Sequence, residues 1–245
     1  MLLWFLPLAS AVFVAAILRG LTGFGFALAA VPLISLAIEP KLAVASTILL
    51  QVMIGIPDMI RLRDHYDRQD VTRLTLGALF GMPFGIAALA FFDTNATQLA
   101  IAMISLAGLC LMVLQPQRRI RFGRGVALGA GALSGLFGSL AAMPGPPAVA
   151  YFVASGTEPS RARASMLILF FLSALMTVPG LVLAGAINGT SLLLSLGFLP
   201  FLVLGTWVGG QIIRVLHPRH YRALALGVMG LAAGVSGARA ILNMI

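Results

Sequence analysis

The segment Arg19–Pro32, RGLTGFGFALAAVP, places an arginine, three glycines, a threonine and a proline in one of the most hydrophobic parts of the chain. A guanidinium group matches oxyanion geometry bidentately. A charge at bilayer depth costs at least about 2.5–3.5 kcal/mol, so Arg19 should have a partner. Asp58, Glu39 and Glu158 all lie near the ends of apolar segments, and none is an obvious partner. We therefore expect a bound anion to complete the pair; the alternatives are snorkelling to the interface or pairing with backbone carbonyls.

Polar side chains in the neighbouring apolar segments are further candidate ligands. Hydroxyl and amide groups donate hydrogen bonds to an oxyanion, although packing between membrane helices is their alternative role. Thr47 and Gln51 are one helical turn apart and would share a face. The candidates from both halves of the chain are Thr22, Ser46, Thr47, Gln51, Ser134, Ser139 and Ser165.

The composition indicates a polytopic membrane protein. Of the 245 residues, 60% are hydrophobic and 9% charged, whereas soluble domains carry about 25% charged residues. Apolar runs of about 18 residues or more recur along the chain, as spanning helices require. We predict one all-α membrane domain over residues 1–245. The net charge of +9 reflects arginines in short loops, the signature of cytoplasmic loops, and predicts no nucleic-acid partner.

The two halves of the chain resemble each other, which predicts an internal duplication of residues 1–116 and 124–245. The alignment starts by placing Thr22-Gly23 on Ser134-Gly135. It continues, with an insertion in the second half, through these pairs: Ala29–Pro32 with Ala141–Pro144, Glu39-Pro40 with Glu158-Pro159, Ala45-Ser46 with Ala164-Ser165, and Gly81–Gly85 with Gly205–Gly209. The glycines spaced by four predict close helix packing.

Each repeat begins with a long apolar stretch that glycines interrupt, at 6–37 and 125–155. Three simpler predicted spans follow in each half: 42–60, 74–91 and 97–114, then 164–184, 191–213 and 223–243. If each long stretch is a single span, the repeats are parallel, and eight spans leave nine basic residues inside and six outside. If each is a hairpin of two short helices, thirteen basic residues lie inside and two outside. The positive-inside rule favours the hairpins and thus two inverted-topology repeats, with 8–10 spans as the range.

In the hairpin arrangement the two turns enter from opposite sides and could meet. Non-helical backbone at that depth must be buried in protein or line a cavity. Broken helices at a repeat interface point their N-terminal dipole ends at anionic groups. We therefore expect Arg19–Gly25 and Ser134–Gly145, including Pro144, to form an anion-binding site.

Several activities lack their residues in this sequence. There is no GxxxxGK[ST] loop, no HExxH motif, and none of the three histidines lies in a predicted span. An ATP-driven pump, an intramembrane hydrolase or a haem protein therefore lacks its working parts. We predict no enzymatic activity and no cofactor.

The motifs TGFGFALAAVP and SGLFGSLAAMPGPP, in this order in two short repeats, resemble the sulfite exporter TauE/SafE family of bacterial membrane proteins. The resemblance covers nearly the whole chain and implies transport of small sulfur-containing anions such as sulfite or organosulfonates. The positions that match its glycine-rich motifs are Gly20, Gly23, Gly25, Gly135 and Gly138. The second motif departs from the more glycine-rich form at Met143–Pro147.

The sequence thus predicts a secondary transporter of the bacterial inner membrane, working by alternating access on a small anion. A passive anion channel, or a membrane scaffold without substrate, remains the alternative. The lipid bilayer and the anionic substrate are the expected partners, and association into a homo-oligomer is left open.

Overall fold

The computed structural model describes residues 2–114 and 123–215, and eight residues between 227 and 238. The first two ranges fold into nine helices and contain no strand. The helices are α1 Leu2–Thr22, α2 Phe26–Ile34, α3 Pro40–Leu62, α4 Arg68–Phe91, α5 Thr94–Leu114, α6 Arg124–Ala141, α7 Gly145–Ala154, α8 Pro159–Leu183 and α9 Gly189–Val215. The all-α prediction is confirmed for this part of the chain.

Six of the described helices are long and apolar enough to cross a membrane: α1, α3, α4, α5, α8 and α9. Large apolar side chains point outwards from them, such as Phe80, Phe84 and Phe91 on α4, which are 73%, 70% and 87% exposed. An outer surface of this kind suits contact with lipid chains rather than water. The predicted last span, 223–243, lies mostly outside the described residues.

Both glycine-interrupted stretches are broken, but not into two short helices as predicted. In each, a long helix is followed by a short one: α1 has 21 residues and α2 has 9, while α6 has 18 and α7 has 10. Each break falls where the chain takes a positive φ that a continuing helix does not allow, at Gly23 and Gly25 in the first and at Ala142 in the second. In each pair, the second helix, α2 or α7, is too short to cross a bilayer.

The two helix breaks have the same spacing in the chain as the two Glu-Pro pairs. Gly23 and Ala142, one in each break, both have a positive φ. They are 119 residues apart, as are Glu39 and Glu158. The predicted match of Ala29–Pro32 with Ala141–Pro144 does not join segments of like structure. The first of these segments lies inside α2, whereas the second is the break itself.

The Glu-Pro pairs begin corresponding helices with nearly the same backbone geometry. Glu39 precedes α3 with φ −55° and ψ 132°, and Glu158 precedes α8 with φ −56° and ψ 135°. Pro40 and Pro159 then occupy the first helical position. Proline suits that position because its φ is already helical and its missing N–H would have no partner there.

Glycines allow two pairs of helices to touch through their backbones. A Cβ on Gly77 would lie 2.2 Å from the carbonyl oxygen of Leu128, and one on Gly85 would lie 2.4 Å from that of Leu136. Residue numbers rise together along both helices, so α4 and α6 run parallel. The close packing predicted for the glycines of α4 is confirmed.

The same arrangement recurs between α1 and α9. A Cβ on Gly197 would lie 3.1 Å from the ring of Phe5, and one on Gly209 would lie 2.3 Å from the carbonyl oxygen of Ile17. These helices also run parallel, and the predicted close packing of the glycines of α9 is confirmed. The end of α4 and the start of α9 line one cavity, so α4 and α9 run in opposite directions.

Arginines gather at one end of the bundle, which we call the basic end. Asp67, just before α4, donates its N–H to Ser165 of α8 over 2.9 Å, and its carboxylate lies 3.8 Å from Arg161. Asp67 also caps α4 by accepting the N–H groups of Gln69 and Asp70. The starts of α4 and α8 therefore lie together. The basic end carries Arg61, Arg63, Arg68, Arg161 and Arg163.

Candidate functional site

The first break is a tight turn between α1 and α2. Gly23 and Gly25 have φ of 80° and 89°, a conformation that costs a residue with a Cβ about 1–3 kcal/mol. Thr22 holds the turn, because its Oγ1 lies 2.8 Å from the carbonyl oxygens of Leu18 and Phe24. The hydroxyl of Thr22 is thus engaged with its own backbone.

The second break, between α6 and α7, is held by a side chain from α3. Ala142 has φ of 58°, and its carbonyl oxygen accepts a hydrogen bond from Nε2 of Gln51 over 2.8 Å. The N–H of Met143 reaches back to the carbonyl of Phe137 over 3.1 Å. Gln51 therefore connects α3 to the turn between α6 and α7.

The two breaks line one cavity, which we call the turn cavity. The volume open to the centre of a water molecule is about 30 Å³. Its wall is largely apolar, as is usual for small-molecule sites. The lining residues are Arg19, Gly23, Phe24, Gly25, Phe26, Ala27, Leu28, Gln51, Ile54, Gly55, Ala142, Met143, Pro144, Gly145, Leu167, Phe170 and Phe171.

Both short helices begin at the turn cavity. The first N–H groups of a helix have no partner within it and carry the positive end of the dipole. Neither Gly25 nor Pro144 caps its helix with a side-chain hydrogen bond. In α7 the second and third residues are Pro146 and Pro147, which have no N–H. The beginning of α2 is consequently the richer source of donors.

Arg19 has an acidic partner, which corrects the prediction that none was available. Its Nη2 donates to Oδ2 of Asp58 in a hydrogen-bonded ion pair. The side chains of Arg19 and Asp58 are only 9% and 18% exposed. The sequence argument failed because Asp58 was placed at a cytoplasmic end. In the structure, the last turn of α1 lies close to the part of α3 that carries Asp58.

Arg163 is a second cation beside the first break that sequence reasoning did not select. Its Nη2 donates to the carbonyl oxygen of Gly20 over 2.7 Å. Its side chain also covers Gly23, where an added Cβ would lie 2.4 Å from Cγ of the arginine. Arg163 thus ties the start of α8 to the end of α1.

Six of the residues selected from the sequence line the turn cavity, namely Arg19, Gly23, Gly25, Gln51, Pro144 and Gly145. Four others have packing or capping contacts instead. Gly20 and Gly135 press against the backbones of α9 and α4, respectively. Ser139 Oγ lies 2.8 Å from the carbonyl of Gly135 on its own helix, and Ser165 accepts the N–H that precedes α4.

The remaining selected residues lie away from the cavity wall. Thr22 holds the first turn, as described, and Gly138 packs against the ring of Pro144. The hydroxyls of Ser46, Thr47 and Ser134 are fully buried and have no hydrogen-bond partner among the described residues.

Aromatic residues of α8 form the wall that sequence reasoning missed. Leu167, Phe170 and Phe171 face the turn cavity at the three- and four-residue spacing of one helix face. Nothing in the local sequence distinguishes these apolar side chains from others that pack in the same span.

A second cavity, which we call the end cavity, lies at the end opposite the basic end. About 350 Å³ of it is open to the centre of a water molecule. Lys41 lies there and donates from Nζ to the carbonyl of Ala90 over 3.1 Å. Glu39, Asn188 and Thr190 supply further polar groups.

These features define a multi-pass helical membrane protein with two broken helices that converge on an internal cavity. The family model for the sulfite exporter TauE/SafE family matches residues 8–236. The chain belongs to that family, a family of membrane transport proteins typical of the bacterial inner membrane, and the resemblance read from the sequence is confirmed. The curated proteins and the solved structures contain no match to it.

Proposed function

We propose that the protein is a secondary transporter that moves a small sulfur-containing anion by alternating access. The observation that carries the proposal is the convergence of Arg19 and both helix breaks on the turn cavity. The guanidinium group would neutralise the anion, while N–H groups at the start of α2 would donate to its oxygens. Family membership supports sulfite or an organosulfonate as the class of cargo.

A route between the two cavities is supported by one face of α8. Residues at three- and four-residue intervals lead from the turn cavity to the end cavity: Leu167, Phe170, Ser173, Thr177, Leu181 and Ala184. The hydroxyl of Ser173 is buried and has no hydrogen-bond partner among the described residues. The hydroxyl of Thr47 on α3 is also buried and has no hydrogen-bond partner among the residues that the structure describes. A buried polar group without a partner is costly, and a passing oxyanion would satisfy it.

We further propose that residues 1–116 and 124–245 form one membrane domain of two inverted-topology repeats. Since α1 runs with α9, α6 runs with α4, and α4 opposes α9, the long broken helices α1 and α6 point in opposite directions. This is the relation that inverted repeats require. The basic end would face the cytoplasm by the positive-inside rule, and the end cavity would open on the opposite side.

Each glycine-packed pair, α1 with α9 and α4 with α6, joins one helix from each repeat. Packed interfaces of this closeness move as rigid bodies rather than deform. We propose that the two pairs rock against each other, carrying the breaks with them. Contacts that join α8 to α4 at the basic end, such as Ser165 with Asp67, would separate when that side opens.

Thermal unfolding of the purified protein in detergent tests the proposal. The panel contains sulfite, sulfate, thiosulfate, sulfoacetate, taurine and an aromatic sulfonate, with acetate as the control. A ligand specific to the folded state stabilises it by about 2.7 kcal/mol at a hundred times its dissociation constant. We expect a rise in melting temperature confined to sulfur oxyanions.

The matched variant is the double substitution Arg19→Gln with Asp58→Asn, which removes both charges of the buried pair together. Removing only one would leave the other buried and unpaired, which destabilises the fold for a different reason. The double variant should fold and show no anion-dependent rise. A wild-type protein that shows no rise with any of these anions at millimolar concentration would overturn the proposal.

A further inference from the structure

We propose that the turn cavity selects an anion of single charge that carries a short apolar tail, and that Phe170 is the residue that recognises the tail. The inference rests on the proposed function and narrows its cargo to a small organic sulfonate, as opposed to the inorganic sulfur oxyanions. The distribution of charge, hydrogen-bond donors and aromatic rings along the cavity wall supports it.

The turn cavity offers little positive charge to an anion. Among the described residues that line it, Arg19 is the one that carries a charge, and its guanidinium group is shared with the carboxylate of Asp58. Arg163, the other cation beside the first break, donates to the carbonyl oxygen of Gly20 and is not part of the lining. A second negative charge on the ligand would therefore be buried without a partner, which is costly. The wall suits a single charge.

The hydrogen-bond donors gather at the end of the cavity that the first break forms. Arg19 belongs to the last turn before Gly23, whose N–H its carbonyl oxygen accepts over 2.8 Å. The N–H groups at the start of α2, which have no partner within the helix, follow Gly25. At the second break Nε2 of Gln51 is engaged by the carbonyl oxygen of Ala142, and the start of α7 contains two prolines. The oxygens of an anion thus find donors mainly at the first break.

Helix α8 joins the two ends of the cavity with an apolar face. Near the start of α8, the side chain of Arg163 covers Gly23 of the first break, where an added Cβ would lie 2.4 Å from Cγ of the arginine. Two turns further on, the ring of Phe170 reaches the second break, where a Cβ on Gly145 would lie 3.6 Å from Cζ. Leu167 lies between them on the same face. The cavity therefore has a polar end at the first break and an apolar end at the second.

Phe170 is the ring of α8 that is available to a ligand. Its neighbour Phe171 packs against α3, because a Cβ on Gly55 would lie only 2.4 Å from the Phe171 ring. Phe170 is half-buried and would meet a Cβ on Gly145 only at ordinary contact distance. An apolar tail against the Phe170 ring is removed from water, whereas an oxygen atom at the same place loses its hydrogen bonds. The small volume of the cavity limits the tail to a short one.

The binding of three anions of nearly the same shape tests the inference, measured by titration calorimetry of the purified protein in detergent. Methanesulfonate has one charge and a methyl group, sulfamate has one charge and an amino group, and sulfate has two charges and an oxygen atom in that place. We expect methanesulfonate to bind about tenfold more tightly than sulfamate, since a buried amino group without a partner is costly, and sulfate to bind most weakly. Ethanesulfonate should bind about fourfold more tightly than methanesulfonate, because it buries one more methylene.

The key variant is Phe170→Ala, which enlarges the apolar end of the cavity. It should reduce the preference for methanesulfonate over sulfamate and shift the tightest binding to a longer tail, such as that of butanesulfonate. A general loss of stability does not imitate this change, because the comparison is between ligands of one protein. The control is Phe84→Ala, the same substitution at an outward-facing ring of α4 that is 70% exposed. That variant should keep the wild-type order of affinities.

The outcomes separate the two claims. Wild-type protein that binds sulfate or sulfamate as tightly as methanesulfonate overturns this inference and leaves the proposed function standing, and this result needs no variant to fold. An unchanged order of affinities in Phe170→Ala overturns the role of that ring. Binding of none of these anions, nor of sulfite, contradicts the proposed function itself and this inference with it.

Discussion

Gln51 on α3 holds the helix break between α6 and α7, through the 2.8 Å hydrogen bond from its Nε2 to the carbonyl oxygen of Ala142. The bond lies at the wall of the turn cavity, which both helix breaks line. Among the described residues other than glycine, Ala142 alone has a positive φ. This conformation is unfavourable for a residue with a Cβ and needs support from its surroundings. The donor on α3 supplies that support.

Replacing Gln51 with alanine should therefore destabilise the protein and weaken anion binding together. A buried carbonyl that loses its donor costs about 1–3 kcal/mol, and the second break would lose its fixed position. The control is Gln69→Ala on the exposed start of α4, which should leave the melting temperature and the anion-dependent rise almost unchanged. Equal melting temperatures for the two variants would show that the bond to Ala142 is not needed.

Gly25→Ala should destabilise the first break, because φ is 89° there. We expect a loss of about 1–3 kcal/mol and weaker anion binding, since the N–H groups at the start of α2 would be displaced. The matched control is Gly129→Ala in α6, where an added Cβ meets nothing within 4 Å. Alanine favours a helix interior by up to about 1 kcal/mol over glycine, so this variant should be neutral or stabilising in thermal unfolding.

The glycine contacts within the two helix pairs predict that a Cβ destabilises both pairs. A Cβ on Gly81 would lie 1.8 Å from the carbonyl oxygen of Ala132, and one on Gly205 would lie 2.5 Å from that of Phe13. Gly81→Ala and Gly205→Ala should each lower stability by about 1–3 kcal/mol or more, with the larger loss at Gly81. Unfolding of both variants beside Gly129→Ala measures this. A variant at either site as stable as the wild type would contradict rigid pairing of that helix pair.

Ser173 gives a prediction in which stability and transport change in opposite directions. Its buried hydroxyl has no hydrogen-bond partner among the described residues, so Ser173→Ala should leave stability unchanged or raise it. Transport should fall if the hydroxyl contacts the anion on the proposed route. Ser191→Ala is the contrast, because the Ser191 hydroxyl bonds to the backbone of Asn188 at the start of α9. That variant should lose about 1 kcal/mol, and full transport by Ser173→Ala would remove α8 from the route.

Much of the fold followed from sequence pattern because helix length and apolarity are local properties. The spans predicted at 42–60, 74–91 and 97–114 lie inside α3, α4 and α5. The spacing of the glycines in α4 and α9 was sufficient to predict close helix packing, since a pattern of small residues states directly how near a neighbour can come.

The pairing of Arg19 with Asp58 could not be predicted in the same way. The two residues are 39 positions apart, and they meet only because α2 turns the chain back before α3 begins. Nothing in the local sequence gives the depth at which the first break ends. The unequal lengths of the two helices in each broken stretch were missed for the same reason, since the positions of breaks depend on single φ angles.

The candidate ligands with hydroxyl groups fall into two sets, those bonded to the backbone and those without a partner, and residue type does not separate the sets. Thr22 and Ser165 are engaged with backbone groups, whereas Thr47 is buried without a partner. A hydroxyl on a membrane helix bonds either to its own helix or across an interface, and the sequence does not distinguish the two.

The measurement that tests the central claim most directly is counterflow in proteoliposomes of the radiolabelled sulfur oxyanion that gives the largest thermal shift. Wild-type protein should show saturable uptake that the unlabelled anion on the opposite side stimulates, which a channel would not. The Arg19→Gln, Asp58→Asn double variant should lose about tenfold or more of this flux, since a hydrogen bond to a charged group contributes about 1.5–3 kcal/mol. The control double variant Arg63→Gln, Asp64→Asn removes an exposed pair and should transport normally. Counterflow by the Arg19–Asp58 double variant as fast as that of the wild type would contradict the account.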